Sequence, residues 1–241
     1  MSVIEVKDLR FSYEKGQEVL RGINVSFKES TIYGILGRNG CGKSTFLDCL
    51  IGSNNYTGYV FVDCNDITKM PNRRISQLVS YIPQNTTVNM NYTVYEFLAF
   101  GRNPYIPLFG NMGSNDLAMI DLSVKECGIE NILHKSITKI SGGERQLVYI
   151  CRALVQDTDI IIMDEPLSSL DYRNQLQVLA LMKRLKERGK TIIFTTHNPQ
   201  QIADFDCQII AFRDGLVFDQ RESNKVMDPK FINDVYEIVT E

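Results

Sequence analysis

The densest chemistry in this 241-residue sequence lies in Gly37-Arg38-Asn39-Gly40-Cys41-Gly42-Lys43-Ser44, followed by Thr45. The run fits G-x-x-x-x-G-K-[ST] without a mismatch, the pattern in which a glycine-rich backbone turns its N–H groups onto phosphate oxygens. In that pattern Gly37, Asn39, Gly40, Cys41, Gly42 and Thr45 line the phosphates. Lys43 neutralises the β and γ phosphates, and the Ser44 hydroxyl ligates Mg²⁺. The flanks suit the motif: Ile32 to Leu36 reads as a strand, and Phe46, Leu47 and Leu50 follow on helical spacing.

A second constellation is Ile160-Ile161-Ile162-Met163-Asp164-Glu165, two carboxylates at the end of a buried strand. Asp164 stands where such folds place a Mg²⁺-facing aspartate. Glu165, pointing the other way on an extended chain, could sit beside an attacking water as a general base. Two acids at a strand end can also be a solvated turn; the phosphate loop upstream favours the functional reading. A third feature is Ser141-Gly142-Gly143, which opens a helix with Leu147, Ile150, Cys151 and Leu154 on one face. A helix start offers free N–H groups and a positive dipole end, hence another anion site. Taken alone, the same residues read better as a loop and a cap.

These residues need elements to hold them. Short β-like runs occupy Ile4 to Val6, Val25 to Phe27, Ile32 to Leu36 and Tyr59 to Val62, which suggests an antiparallel sheet beside a parallel one. From Thr93 to Leu154 the pattern turns helical, and Thr93-Val94-Tyr95-Glu96 and Ser141-Gly142-Gly143-Glu144 both carry capping-box spacing. Ile160 to Met163 and Thr191 to Thr195 then read as buried parallel strands, joined by a helix with Val178, Met182 and Leu185 on one face and Gly189 at its end. The expectation is one α/β domain over 1–241: a P-loop NTPase core (1–85 and 155–241) with an antiparallel β subdomain, and an inserted helical lobe at 86–154.

Bulk properties narrow the partners. Hydrophobic residues make up 44% of the chain, enough for a substantial core, and the net charge of −3 gives no global attraction for nucleic acid. No apolar run approaches the roughly 20 residues a membrane-spanning helix needs, so any pore must belong to another chain. The first residues do not read as a secretion signal and the six cysteines form no C-x-x-C pair, so a cytoplasmic protein with free thiols is expected.

The run Ile140-Ser141-Gly142-Gly143-Glu144-Arg145-Gln146 resembles the signature motif of ATP-binding cassette proteins. The resemblance covers nearly the whole chain and implies further roles. Tyr13 falls where the family stacks an aromatic ring on adenine. Gln84 falls at the glutamine that senses Mg²⁺ and links to the membrane partner. Ser168-Ser169-Leu170-Asp171 looks like the loop that crosses a dimer interface, and His197 like the switch histidine at the γ phosphate. Departures are Ile140 for leucine, Leu167 after Glu165-Pro166, Glu29-Ser30 before the P-loop strand, Cys41 within the loop, and Asn198 after the histidine. His134 matches nothing in the family pattern.

The family binds two chains head to tail, so the resemblance implies that Ser141 and Gly143 of one chain complete the nucleotide site of the other. It thus implies ATP and Mg²⁺ as cofactors, and as partners a second copy, integral permease subunits and, indirectly, an extracytoplasmic solute-binding protein. The place implied is the cytoplasmic face of the membrane. Thr93-Val94-Tyr95-Glu96 and Gly101-Arg102, with Glu144-Arg145-Gln146, resemble importers for iron siderophores, haem, cobalamin and molybdate. The rival reading is a soluble cassette ATPase of iron–sulfur cluster assembly. Pro104, Tyr105, Pro107 and Phe109 look exposed, as a groove receiving a permease helix would require.

Overall fold

The computed structural model describes residues 2–13, 16–84, 91–107, 109–168 and 170–238. The chain opens with β1 (Ser2–Ser12) and β2 (Glu18–Lys28), an antiparallel pair, then β3 (Ile32–Leu36), α1 (Lys43–Leu50), β4 (Thr57–Val62), β5 (Asn65–Asp66), α2 (Asn72–Leu78) and β6 (Val79–Ile82). Next come α3 (Val94–Ala99), α4 (Ser114–Cys127) and α5 (Gly142–Gln156). The last part runs β7 (Ile160–Met163), α6 (Tyr172–Glu187), β8 (Thr191–Thr196), β9 (Gln208–Arg213), β10 (Leu216–Glu222) and α7 (Pro229–Tyr236).

Two sheets result, of order β2-β1-β4-β5 and β10-β9-β3-β8-β7-β6. In the second, β9, β3, β8, β7 and β6 run parallel and β10 closes the edge antiparallel to β9. Every residue of β3, β7 and β8 is buried, as strands covered on both faces must be, which is why they read as unbroken apolar runs rather than alternating ones. This is an α/β P-loop architecture. The strand order brings the C-terminal ends of β3, β8, β7 and β6 side by side, the edge at which open parallel sheets bind ligands.

Two apolar cores flank the parallel sheet. One lies between the sheets around α1, where the Phe46 ring sits 5.1 Å from Phe212 and 6.4 Å from Phe27. The other joins the opposite face to α3, α4, α5 and α6. Both capping boxes form: Thr93 Oγ1 accepts the Glu96 N–H at 3.2 Å while the Glu96 carboxylate accepts the Thr93 N–H at 2.8 Å. The helical segment is tied to the sheet by Gln156, whose Nε2 donates to the Ser76 and Val79 carbonyls at 2.6 and 3.1 Å. Buried Arg102 binds the Val155 carbonyl at 2.9 Å and Asp116 at 2.8 Å, and this partner holds the Asp116 carboxyl below the usual range.

Two expectations are corrected. Pro104 and Tyr105 are half-buried: the Pro104 carbonyl accepts from Arg73 and Gln77, and the Arg102 guanidinium stacks 4.1 Å from the Tyr105 ring. Pro107 and Phe109 are exposed as expected, Phe109 almost completely at 99%. Glu165 is not extended: β7 ends at Met163, and Glu165 takes a left-handed backbone with φ 47°.

Candidate functional site

The P-loop connects β3 to α1. A side chain at position 37 would put its Cβ 2.5 Å from the Phe212 carbonyl oxygen and 2.7 Å from Cys41 Sγ, so only glycine fits. Gly42 caps α1 with φ 103°, a conformation glycine reaches without a Cβ penalty. Lys43 is 5% exposed, and its ammonium donates to the Gly37 and Arg38 carbonyls at 2.8 and 2.9 Å, which fixes the charge inside the loop. Ser44 is exposed at the helix start, and Thr45 Oγ1 lies 2.9 Å from the Tyr13 hydroxyl. The Tyr13 ring meets Phe11 edge to face at 4.8 Å and remains 66% exposed, a flat surface standing beside the loop.

The ends of β7, β8 and β6 converge on one carboxylate. Thr195 Oγ1, on β8, donates to Asp164 at 2.5 Å and accepts the Glu165 N–H at 2.7 Å. One hydroxyl therefore orients Asp164 and holds the turn that aims Glu165. Gln84 Nε2 donates to Glu165 Oε2 at 3.1 Å, and His197 Nδ1 lies 3.2 Å from Oε1. Gln84, Glu165 and His197 thus form a chain of contacts across three adjacent strand ends. Nearby, burial and then the charge of Asp164 push the Asp48 carboxyl up, opposed by a hydrogen bond from Tyr81.

The Ser141 end is built differently. Ser141 Oγ accepts the Glu144 N–H at 3.2 Å and the Glu144 carboxylate accepts the Ser141 N–H at 2.8 Å, which lowers the Glu144 pKa. A Cβ on Gly143 would come 2.5 Å from Asn174 Nδ2, the tip of a side chain at the start of α6, so the starts of α5 and α6 lie side by side. Gly142 is exposed, and a Cβ there would meet nothing within 4 Å. Among the described residues no packing requires that glycine. Asp171 caps α6, accepting the Asn174 N–H at 2.8 Å; Ser169, in the same loop, lies outside the described residues. Among the described residues no hydrogen bond or ion pair joins Ser141, Gly142 or Gly143 to the P-loop.

The family model described as ABC transporter matches residues 20–168, from β2 through the P-loop, the Ser141 helix and the paired carboxylates. The chain belongs to the ABC transporter family. It is 32% identical over 225 residues to the iron(3+)-hydroxamate import ATP-binding protein FhuC of Bacillus subtilis, covering 92% of this chain and 84% of that one. It is 30% identical over 217 residues to the manganese transport system ATP-binding protein MntB of Halalkalibacterium halodurans, covering 89% and 84%. Among solved structures, one described as an inward-facing metal-chelate type ABC transporter superposes with a TM-score of 0.84 at 26% identity, covering 99% of this chain and 90% of that one. As an ABC transporter ATP-binding subunit the chain binds and hydrolyses ATP.

Within this ABC subunit the structure brings Gln84, Asp164, Glu165 and His197 into one cluster and the P-loop to the neighbouring strand end; the Ser141 helix start remains apart. Three contributors escaped the sequence reading: Thr195, Asp48 and Tyr81. Thr195 sits in a β-branched strand, where a hydroxyl looks like packing, and Asp48 and Tyr81 meet only through the fold.

Cys41 supplies a test of the loop. Burial pushes its thiol pKa up, with Lys43 opposing. Less thiolate at neutral pH means slower alkylation. Maleimide is expected to label Cys41 more slowly than a free thiol at pH 7, to accelerate as pH rises, and to be blocked by bound ATP. Mass spectrometry of the labelled peptide would read this, and labelling indifferent to ATP would contradict the placement.

Proposed function

We propose that the chain is the ATPase subunit of an importer for a metal chelate or metal ion, working as a head-to-tail dimer beneath a separate permease. The observation that carries the catalytic part is Glu165, held by Gln84 and His197 beside Asp164 and one strand from the P-loop strand's neighbour β8. Glu165 takes the proton of the water that attacks the γ phosphorus of ATP while the bond from that phosphorus to the β–γ bridging oxygen breaks and ADP leaves, and His197 and Gln84 hold the carboxylate in place. Lys43 and the loop N–H groups of Gly37, Asn39, Gly40, Cys41, Gly42, Ser44 and Thr45 hold the phosphates. Tyr13 offers its exposed ring to adenine.

The donor set suits Mg²⁺. Ser44 hydroxyl, Gln84 amide oxygen and Asp164 carboxylate are hard oxygen ligands, and the Asp164 carboxylate is oriented by the Thr195 hydroxyl at 2.5 Å. Among the described residues no three His, Cys, Asp or Glu side chains could hold a metal by themselves. Mg²⁺ takes one or two carboxylates and completes its shell with phosphates and water. When bound it neutralises charge on the phosphate oxygens.

The dimer is supported by the second anion site, whose exposed Gly142 meets no packing among the described residues that requires glycine. In the dimer Ser141, Gly142 and Gly143 meet the nucleotide bound by the partner, and Asp171 lies at the crossing. The permease is supported by the relatives named as an iron(3+)-hydroxamate import and a manganese transport system ATP-binding protein. No helix among the described residues is long and apolar enough to cross a membrane, so the pore is assigned to other subunits, with this chain on their cytoplasmic face and a solute-binding protein opposite. The relatives named for iron(3+)-hydroxamate and manganese favour metal cargo over an oxyanion such as molybdate. They also favour transport over iron–sulfur cluster assembly.

Co-expression with candidate permeases tests this. The chain is expected to co-purify with a polytopic membrane protein, and its ATPase rate in liposomes to rise when a metal-loaded binding protein is added. Stable association with a soluble iron–sulfur scaffold instead would contradict it.

A further inference from the structure

The last helix touches two functional loops at once. Its packing is secure: Phe231 and Val235 are buried, the Arg221 guanidinium lies 3.7 Å from the Phe231 ring centre, and Arg213 donates to the Asp234 carbonyl at 3.0 Å. At its end Glu237 pairs with Arg38 of the P-loop. One residue earlier, the Tyr236 hydroxyl donates to the backbone carbonyl of His197 at 2.6 Å.

We propose that Tyr236 is a positioning residue for hydrolysis, its hydroxyl fixing the His197 peptide so that the imidazole stays on Glu165. The inference rests on the reading of Glu165 and His197 given above. β8 ends at Thr196, so His197 has left the sheet ladder. The turn after it is held by Thr196, whose Oγ1 accepts the Asn198 N–H at 3.1 Å and donates to Gln201 at 3.0 Å. Those bonds fix residues beyond His197; the contact from Tyr236 fixes the His197 peptide itself. The histidine side chain is 43% exposed, too open for packing alone to select one orientation. The tyrosine is half-buried, and burial, with Cys41 adding to it, raises its pKa, so the hydroxyl stays a donor. Packing needs only the ring; the hydroxyl is committed to one acceptor on the switch turn.

Tyr236→Phe keeps the ring and removes that donor. The full chain carrying it is expected to show a kcat for ATP about 3- to 10-fold lower, the range a single hydrogen bond commands, with KM for ATP and Tm unchanged. In a His197→Ala background the same substitution is expected to change residual kcat by less than 1.5-fold, roughly the error of such a rate measurement and far below one hydrogen bond's worth. An unchanged kcat in the single variant, or an equal fall in both backgrounds, would overturn the proposal. Glu165→Gln run alongside separates the two levels. If that variant is inactive while Tyr236→Phe is normal, only Tyr236 loses its role; if Glu165→Gln hydrolyses normally, the reading of the site itself fails.

Discussion

Glu165→Gln is expected to lower ATP hydrolysis by about 10²–10⁴-fold, the range that general-base assistance supplies, while ATP binding stays within a few-fold of the parent chain. The turn that aims residue 165 depends on its backbone, through the 2.7 Å bond from the Glu165 N–H to Thr195, so the substitution leaves the local fold intact. The carboxylate accepts on both oxygens, from Gln84 and facing His197. An amide is a poor base and can accept on one oxygen only. Lys43, Ser44 and Asp164 are untouched and continue to hold the nucleotide. Steady-state phosphate release together with equilibrium ATP binding separates the two effects. A parent-like rate would remove Glu165 from the role of base.

Lys43→Ala is expected to act on the other quantity, weakening ATP binding by about 100-fold or more. The Lys43 ammonium is buried in the loop, where its two bonds to the Gly37 and Arg38 carbonyls pre-position it. Charge-assisted hydrogen bonds contribute about 1.5–3 kcal/mol each, and two lost to the phosphates correspond to at least that factor. Arg38 cannot substitute readily, since its guanidinium pairs with Glu237. Titration calorimetry would measure the affinity, with circular dichroism to show that the variant is folded. Unchanged affinity would reject the P-loop assignment.

Much of this arrangement could be read from residue order. Ile32–Leu36 and Ile160–Met163 form strands at the bounds read from the sequence, because each is a short, largely apolar run cut off by turn-forming or charged residues. Thr93 and Ser141 begin helices where capping chemistry places them. The hairpin of β9 and β10 and the helix α7 were not read. β10 is an edge strand whose Asp219, Gln220 and Arg221 break the alternation that marks a strand. Tyr236 was invisible for a different reason: it acts on a backbone carbonyl 39 positions away, and backbone acceptors leave no mark in residue types. The left-handed Glu165 likewise depends on the Thr195 hydroxyl across the sheet, so the sequence suggested an extended carboxylate where the fold supplies a turned one. Pro104 is held by Arg73 and Gln77 on α2, about thirty residues earlier, and Tyr105 by the Arg102 guanidinium over its ring, contacts that only the fold creates.

The central claim is that one chain holds the nucleotide and a second completes its enclosure. Size-exclusion chromatography with light scattering on the Glu165→Gln variant, with and without saturating MgATP, tests it most directly. ATP that is bound and not hydrolysed should persist between the P-loop of one copy and Ser141 and Gly143 of the other. The variant is therefore expected to run as a dimer with MgATP, and adding Ser141→Arg should return it to monomer by placing a bulky cation at the helix start. A Glu165→Gln chain that binds MgATP tightly yet remains monomeric would contradict the account.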